Sequence, residues 1–249
     1  MIFIEIGAHY GQSYEVAKHP KYPFNEFWLF EPSTAALKRL YDITDTRLKI
    51  FPIGLAAKNY STSLYKPGSK GATIFREKFA SNTELSSQKI NVKKASEILA
   101  SILSDNIVFI KINCEGSEVD ILNDLLEFSL LNATHSILVD FDICRIKKNY
   151  PIENLRKKLE LCGVRFYEAD FFGAKHSDAN VKSWLNHELK SNFVKFTLKE
   201  YFSFKLRRHL PFKRRIILIF APYVPVKYKI KLSVYFNRFT NRTTLSKNN

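Results

Sequence analysis

The fold is decided by residues 111–122, which read KINCEGSEVDIL. They continue a run from Ile107 to Ile112 that is rich in β-branched and aromatic residues, as in a strand that is buried on both faces. A polar pair, an acid, a glycine and then apolar residues at helical spacing follow, so we expect a central parallel strand that passes directly into a helix. Ligands of open α/β sheets bind where strands end and helices begin, and this places Asn113 and Glu115 beside a bound molecule.

A different interpretation of this stretch is that Glu115 and Glu118 only complement the dipole of the helix that begins there. The start of the chain favours a functional interpretation, because it repeats the pattern. Residues 2–6, IFIEI, predict a short buried strand, and residues 7–11, GAHYG, predict a tight turn before a helix. Glycine admits a ligand where a Cβ would block it, and the amino end of a helix offers free N–H groups. We therefore expect a small polar ligand at this turn.

The spacing of the glycines in this turn separates two kinds of ligand. A dinucleotide site has the pattern G-x-G-x-x-G. Here Gly7 and Gly11 are spaced G-x-x-x-G, and His9 occupies the place of the middle glycine. The acid Glu5 precedes the turn by two residues. This pattern argues against a close-packed pyrophosphate, and so against an NAD-dependent oxidoreductase, and favours an amino-acid or nucleoside ligand.

A third strand end adds an acid to the same predicted edge of the sheet. Residues 26–30 predict a strand that ends at Glu31-Pro32, and Glu31 follows Gly11 by 20 residues. At this distance an acid can accept hydrogen bonds from both hydroxyls of a ribose. The alternative is a glutamate in a surface ion pair. The next predicted strand, residues 47–53, leads to Gly54 and Leu55, which we expect to line an adenine pocket.

Strands and helices alternate over residues 1 to about 170, which predicts a doubly wound α/β sheet with helices on both faces. Further predicted elements are a helix from Ser33, as its N-cap, to Tyr41, the segment Ile90–Val92, a helix over 96–103, a strand over 136–141 that ends at Asp140 and Asp142, a helix over 152–161 and a strand over 164–167. Residues 61–79 predict a hairpin or an irregular insertion that lies over the cleft.

Composition predicts one main globular domain in a reducing, cytoplasmic compartment. The chain has 249 residues, 45% of them hydrophobic and 25% charged. Its three cysteines, Cys114, Cys144 and Cys162, form no CxxC pair, so neither a metal cluster nor a disulfide framework is expected. The first residues lack the basic region of a secretory signal, and no apolar run reaches the roughly 18 residues of a spanning helix.

Positive charge is concentrated in the C-terminal part of the sequence. Residues 187–249 contain 15 Lys and Arg against 2 acids, which makes +13 of the total of +15, so residues 1–186 carry only +2. From residue 195 onward, aromatic residues alternate with cations. Such a segment can lie at the inner surface of an anionic membrane, can bind RNA, or can be a solvated helical appendage. We expect the membrane contact first and consider nucleic acid unlikely, and we divide the chain into residues 1–170 and a basic appendage, 171–249.

Three pieces of the sequence resemble the FkbM family of S-adenosylmethionine-dependent methyltransferases. They are residues 4–11, IEIGAHYG, residues 30–32, FEP, and residues 110–118, IKINCEGSE. Their order and spacing match the family over roughly residues 2–168, and the pattern K-I-x-x-E-G-x-E is the most specific part. The resemblance implies a Rossmann-like class I methyltransferase fold and O-methylation, often of sugars or of hydroxyls on polyketides and other secondary metabolites.

The resemblance also implies roles for single residues. Glu5, Gly7 and Gly11 would shape the methionine site, Glu31 would hold the ribose, and Glu115 would lie beside the transferred methyl group. His9 stands where asparagine is frequent in such families, and Asn113 where aspartate is common. The complete set that we predict to bind S-adenosylmethionine is Glu5, Gly7, Ala8, His9, Gly11, Glu31, Gly54, Leu55 and Asn113.

Transfer to a hydroxyl requires a base within hydrogen-bond reach of that hydroxyl. The candidates are Glu115, Asp140, Asp142, His9 and His135, and we prefer Glu115 with support from Asp142. The expected function is thus O-methylation of a glycan or a related cell-surface saccharide, with a saccharide or glycolipid as the acceptor. The alternative is a catalytically degenerate methyltransferase fold that serves as a membrane- or RNA-binding module.

Overall fold

A computed structural model describes residues 1–147, 150–173 and 177–190, along which strands and helices alternate. The strands are β1 (Ile2–Ile6), β2 (Glu26–Phe30), β3 (Leu48–Phe51), β4 (Gly54–Ala56), β5 (Tyr60–Tyr65), β6 (Ser87–Lys94), β7 (Val108–Ile112), β8 (His135–Val139) and β9 (Arg165–Glu168). The α-helices are α1 (Gln12–Ala17), α2 (Thr34–Tyr41), α3 (Ala95–Asp105), α4 (Glu118–Glu127), α5 (Ile143–Ile146), α6 (Glu153–Cys162) and α7 (Ser177–Lys190). Short 3₁₀ helices cover Arg76–Lys78 and Ala169–Phe172.

Six parallel strands form the main sheet in the order β3-β2-β1-β7-β8-β9. The chain leaves β1 towards β2 on one side and later returns to place β7 on the other side, so the strand order reverses beside β1. Ile6 is paired in register with both Phe30 and Ile112, which places the ends of β1, β2 and β7 level with each other. The predicted doubly wound α/β sheet is confirmed.

Alternate residues of β1 enter two separate layers, which explains why four of its five residues are apolar. Ile4 and Ile6 belong to a core that includes residues of α3, α4 and α6. Phe3 points to the opposite face, where its ring lies 6.4 Å from that of Trp184 on α7. Because both faces of the sheet are covered by helices, the central strands β1 and β7 are mostly apolar rather than alternating, and the charged residues that they contain, Glu5 and Lys111, pair with each other.

Helix α7 completes the second of these layers. The ring of Trp184 lies 5.5 Å from Phe109, and its Nε1 donates a hydrogen bond to Ser136 Oγ at 3.0 Å. This part of the predicted C-terminal appendage therefore packs on the sheet. Residues 191–249, which include the basic segment from residue 195, lie outside the described residues. Within the described ranges, no helix combines the length and the apolarity that a membrane span requires.

A second sheet of three strands, in the order β4-β6-β5, was not predicted from the sequence. Strand β6 pairs in parallel with β4 and antiparallel with β5, and the small cluster Ala56, Leu64, Ile90 and Val92 holds the three together. The predicted hairpin or insertion over residues 61–79 is thus a strand, β5, followed by a loop over residues 66–86. We call residues 66–86 the covering loop.

The predicted carboxyl end of β3 was wrong, whereas the predicted N-cap of α2 is confirmed without a side-chain hydrogen bond. Strand β3 ends at Phe51 instead of Ile53, because Pro52 has no N–H group to extend the ladder. Ser33 does occupy the N-cap position of α2, but its hydroxyl forms no capping hydrogen bond.

The backbones of β1 and β7 approach each other closely where the two strands end. The N–H groups of Gly7 and Ala8 both donate to Phe30 O, at 3.0 and 3.1 Å, and Asn113 N donates to Ile6 O at 3.0 Å. Gly7 has a φ of +80°, and a Cβ at this position would lie 1.9 Å from Asn113 O. Glycine is therefore required here for space as well as for backbone conformation.

This close approach predicts a large cost for Gly7→Ala. The matched control is Gly173→Ala, because Gly173 also has a positive φ, +63°, but a Cβ there would meet no atom of the described residues within 4 Å. We expect the control to lose about 1 kcal/mol of unfolding free energy for its backbone conformation alone. Gly7→Ala should lose at least about 2 kcal/mol more, since the backbone of Asn113 must move. Urea unfolding followed by circular dichroism measures both, and equal losses would contradict the proposed crowding.

Candidate active site

A cavity of about 340 Å³ opens at the carboxyl ends of β1, β2 and β7. Its size falls within the range of roughly 300 to 1,000 Å³ that small-molecule sites occupy. The predicted site residues that line it are Gly7, Ala8, His9, Glu31, Gly54, Leu55, Asn113 and Glu115. The covering loop contributes Gly68, Ser69, Lys70, Ala72 and Ile74 to the wall. Residues from three strand ends and the second sheet thus share one cavity.

Glu31 lies at the end of β2 with both carboxylate oxygens held by the backbone. Its Oε2 accepts a hydrogen bond from His9 N at 2.7 Å, and its Oε1 accepts one from Ser33 N at 2.8 Å. Burial raises the pKa of this carboxyl, although the two N–H groups oppose the shift. Each oxygen keeps a lone pair beyond the bond it accepts, so the fixed carboxylate can receive two further donors from a ligand.

His9 is held in a left-handed backbone conformation, with a φ of 49°. Histidine and asparagine are among the residues that tolerate this region best. The His9 ring is engaged on both sides, because Nε2 lies 3.1 Å from Gly68 O and Nδ1 lies 3.3 Å from Gln12 Nε2. The ring therefore fastens the covering loop to the turn after β1, and this contact competes with a role as a base.

Lys111 is a cavity residue that the sequence analysis did not select. Its side chain is 7% exposed, and Nζ forms an ion pair with Glu5 Oε1 at 3.2 Å. Glu5 in turn accepts a hydrogen bond from Tyr14 N at 3.2 Å. An ammonium has three donors, so a lysine in the cavity wall with one carboxylate partner can also bind an acceptor group of a ligand. In the sequence, the feature that could have indicated Lys111 is its partner Glu5, the acid two residues before Gly7.

Glu118 shapes the turn that carries Glu115, a role that the sequence analysis also missed. It is fully buried, and its Oε1 accepts hydrogen bonds from Cys114 N at 3.2 Å and Gly116 N at 2.9 Å. Burial raises the pKa of Glu118, and the N–H groups that it binds oppose the shift. The turn is thereby folded back on the start of α4, which holds Glu115 in a left-handed conformation with a φ of 59°.

The covering loop makes three contacts with this second turn. Thr73 Oγ1 donates a hydrogen bond to Glu115 O at 2.6 Å, and Lys78 forms an ion pair with the Glu115 carboxylate. The ring of Phe75 lies so close to Gly116 that a Cβ there would be 2.4 Å away. On the opposite side, Gly68 O accepts a hydrogen bond from Tyr10 Oη at 2.9 Å. The loop therefore bridges the two turns that flank the cavity.

Three predicted site residues are not among those that line the cavity. Glu5 reaches the cavity through Lys111. Gly11 starts α1, and a Cβ on it would lie 3.2 Å from the Leu40 side chain, which points to a packing role. Asp142 is 4% exposed and forms an ion pair with Arg145. Each of the three can affect a ligand only through its neighbours.

The other two candidate bases lie apart from the cavity wall. Asp140 follows β8 and forms an ion pair with Arg145 at 3.0 Å. His135 starts β8, at the opposite end of the sheet from the cavity, so its selection as a base was wrong. It is fully buried, its Nε2 lies 3.0 Å from Leu103 O, and burial lowers its pKa to about 4. Glu115 and His9 are the candidates that lie in the cavity wall, and the ring of His9 is engaged by Gly68 O and Gln12.

Comparison with known proteins identifies the family of this chain. A family model described as "Methyltransferase FkbM domain" matches residues 5–180. This span contains all three strand ends that line the cavity. The chain belongs to the FkbM methyltransferase family. The resemblance predicted from the sequence is thus confirmed, and the cavity lies within the FkbM domain.

A solved structure similar to this FkbM domain is that of a methyltransferase FkbM from Methylobacillus flagellatus KT. The two chains share 18% identity with a TM-score of 0.42, and the match covers 64% of this chain. It covers 36% of that chain, so the present protein corresponds to about a third of the length of that structure. No match was found among curated proteins.

Asp142 predicts a pH dependence of stability. Burial, followed by the negative charges of Glu115, Asp140 and Glu118, raises its pKa to about 7 from an ordinary value of 3.8, while Arg145 opposes the shift. Between these two values the folded protein holds a proton that the unfolded chain has released. Stability that depends on this proton is therefore present at low pH and is lost as the pH rises from about 4 to about 7.

The variant Asp142→Asn should abolish this component, so its unfolding free energy should fall less between pH 4 and pH 7 than that of the wild type. The exposed residue Asp42 supplies the control Asp42→Asn, which should follow the wild-type curve. Urea unfolding at several pH values measures the difference. Parallel curves for the wild type and Asp142→Asn would show that Asp142 does not titrate in this window.

Proposed function

We propose that this FkbM domain transfers a methyl group from S-adenosylmethionine to a hydroxyl of a glycan or a related saccharide. The observation that carries the proposal is the position of Glu31. Two backbone N–H groups fix its carboxylate in the wall of a cavity that Glu115 also lines. Paired acceptor oxygens held in this way suit the two adjacent hydroxyls of a ribose.

The cavity offers a suitable partner for each part of S-adenosylmethionine. Glu31 would hold the ribose hydroxyls, and the wall formed by Gly54, Leu55 and nearby apolar side chains would contact the adenine. Lys111 would bind the carboxylate of the methionine part, with Glu5 neutralising its charge when no ligand is present. The turn at Gly7 would allow the close backbone approach that the donor needs.

When bound, S-adenosylmethionine supplies a methyl group on a positively charged sulfur. Glu115 would accept the proton of the acceptor hydroxyl while the oxygen forms its bond to the methyl carbon, and the electron pair of the broken C–S bond stays on sulfur. Because positive charge disappears from sulfur, a nearby carboxylate favours the bound donor more than the transition state. The rate must therefore come mainly from alignment of the two substrates and from removal of the proton.

The saccharide acceptor is supported by the hydroxyl-bearing acceptors that are frequent in the FkbM family. A decisive search uses the full-length protein, S-adenosylmethionine with a labelled methyl group, and fractionated cell extracts, followed by identification of the labelled product. A labelled hydroxyl on a saccharide would support the proposal. Label on nitrogen or carbon, or a product without sugar, would contradict the acceptor class.

The role of Glu31 predicts that Glu31→Ala weakens the binding of S-adenosylmethionine by tens-fold or more. This decrease in affinity corresponds to the loss of hydrogen bonds that contribute roughly 2 kcal/mol to the binding free energy. The control Glu26→Ala changes an acid at the other end of β2, where Glu26 forms a surface ion pair with Lys49, at 2.7 Å, and accepts a hydrogen bond from Trp28 Nε1 at 3.1 Å. Calorimetric titration measures the affinities. Unchanged affinity in a folded Glu31→Ala variant would exclude the ribose contact.

The role of Glu115 predicts that Glu115→Gln slows transfer by about 100-fold or more, as for the loss of a general base. Binding of S-adenosylmethionine should change little, since the amide keeps the shape of the side chain. The control is Glu160→Gln, because Glu160 is exposed on α6. Turnover at the wild-type rate in Glu115→Gln, measured with the acceptor found above, would show that another group accepts the proton.

A further inference from the structure

We propose that the acceptor carries an anionic group, a carboxylate or a phosphate, which Lys70 and Lys78 of the covering loop bind beside the hydroxyl that is methylated. The inference rests on the proposed function and narrows its substrate class. It starts from the sequence of the loop, because residues 66–79 read KPGSKGATIFREKF and contain four cations against one acid. This segment supplies part of the cavity wall, so its charge acts on any bound molecule.

Two of the four cations have structural partners. The Arg76 guanidinium donates hydrogen bonds to four carbonyl groups of the loop itself, those of Phe79, Ala80, Ser81 and Thr83. Lys66 Nζ lies 4.7 Å from the centre of the Phe79 ring. Arg76 therefore stabilises the conformation of the loop, and Lys66 packs on the Phe79 ring. The roles of Lys70 and Lys78 are not explained by such contacts within the loop.

Lys70 lies in the cavity wall, and Lys78 contacts Glu115, which is a residue of that wall. Lys70 lines the cavity, and within the part of the chain that the structure describes its ammonium has no hydrogen bond or ion pair. Lys78 forms its ion pair with Glu115, and its side chain is 27% exposed. The position of a Cβ on Gly71 lies 3.5 Å from Lys78 Nζ, so the ammonium lies against the same loop segment as Lys70.

The charge of the donor makes the Lys70 ammonium unfavourable unless an anion binds with it. The sulfur of the proposed donor is positively charged, whereas Lys111 is neutralised by Glu5 and Lys78 by Glu115. The ammonium of Lys70, which has no charged partner among the described residues, would repel a cationic donor. A neutral saccharide leaves this repulsion in place, whereas an acceptor with a carboxylate or phosphate removes it.

The same anion would make Glu115 available. With no acceptor bound, the ammonium of Lys78 forms an ion pair with the Glu115 carboxylate. An acceptor hydroxyl must compete with Lys78 for this carboxylate. A phosphate or carboxylate of the acceptor offers Lys78 another charged partner, with charge-assisted hydrogen bonds of similar strength. Glu115 can then accept the hydroxyl proton. The presence of the correct acceptor would thus prepare the base.

The test compares three sugars that share one ring, namely glucose, glucuronate and glucose 6-phosphate. Each is titrated by calorimetry into the full-length protein saturated with S-adenosylhomocysteine. We expect at least one charged sugar to bind about ten-fold or more tightly than glucose, as for gain of a charge-assisted contact. The two charged sugars distinguish a carboxylate from a phosphate. Equal affinities for all three, or no binding of either charged sugar, would overturn the proposal.

Lysine variants distinguish anion binding at the cavity from anion binding to the basic C-terminal segment, which can also attract anions. Lys70→Met and Lys78→Met should each weaken binding of the preferred charged sugar about five-fold or more, while Lys78→Arg should retain most of it. The control is Lys157→Met on the exposed side of α6. Binding that is the same in Lys70→Met, Lys78→Met and Lys157→Met would place the anion elsewhere and overturn the proposal.

Failure of this inference differs from failure of the proposed function. If S-adenosylhomocysteine binds but no anion preference is found, the donor site stands and the anionic acceptor is excluded. If S-adenosylhomocysteine does not bind, the proposed function fails. The same titrations of the unloaded protein then still decide whether Lys70 and Lys78 form an anion site.

Discussion

The close backbone approach of β1 and β7 is the constraint on which the candidate site depends. Gly7 and Asn113 are so near that a single Cβ would lie 1.9 Å from a carbonyl oxygen. This contact occurs where the strand order of the sheet reverses, so the turn after β1 and the turn after β7 face one cavity. The first turn supplies the N–H group of His9 to Glu31, and the second turn carries Glu115. A wider separation of the two strands would move the proposed donor contacts away from the proposed base. The strand order determines where the cavity forms. The lack of a side chain at Gly7 determines how closely the turns after β1 and β7 approach each other.

Both turns depend on carboxylates that accept backbone N–H bonds. Glu31 joins the turn after β1 to the end of β2, and Glu118 folds the turn after β7 onto α4. The hydrogen bonds offset the cost of placing each carboxyl away from water. Burial nevertheless raises the pKa of both groups, so this compensation is incomplete. The difference between them lies in their surroundings, because Glu31 lines the cavity and Glu118 does not. The same interaction therefore serves ligand binding at one turn and backbone conformation at the other, where it holds Glu115 in a left-handed region that costs about 1 to 3 kcal/mol.

The sequence was most informative where burial on both faces forced continuous apolar runs. Strands β1 and β2 have the predicted bounds, since such runs end abruptly at Gly7 and Glu31. The second sheet escaped prediction because β5 and β6 are mostly polar and pair across the long covering loop, so neither strand carries a local signal. The role of Glu118 depends on the left-handed conformations at Glu115 and Gly116, which turn the chain back towards it. Eight of the eleven predicted site residues line the cavity, and the other three do not. Motif spacing thus located the site, whereas the direction of each side chain came from tertiary contacts.

The covering loop is fastened by its Gly68 carbonyl and by the side chains of Thr73 and Lys78, and this separates two functions of the site. Gly68 O receives hydrogen bonds from the turn after β1, and Glu115 O receives one from Thr73. These contacts do not involve the Lys70 side chain, so a change at that position leaves the attachment of the loop intact. The donor site, by contrast, is built from strand ends whose geometry the sheet determines. Substitutions at Lys70 can therefore alter which acceptor enters without disturbing Glu31 or the Gly7 turn. Lys78 differs, because its ion pair with Glu115 links the loop directly to the proposed base. The Lys78 side chain consequently takes part both in recognition of the acceptor and in preparation of the base.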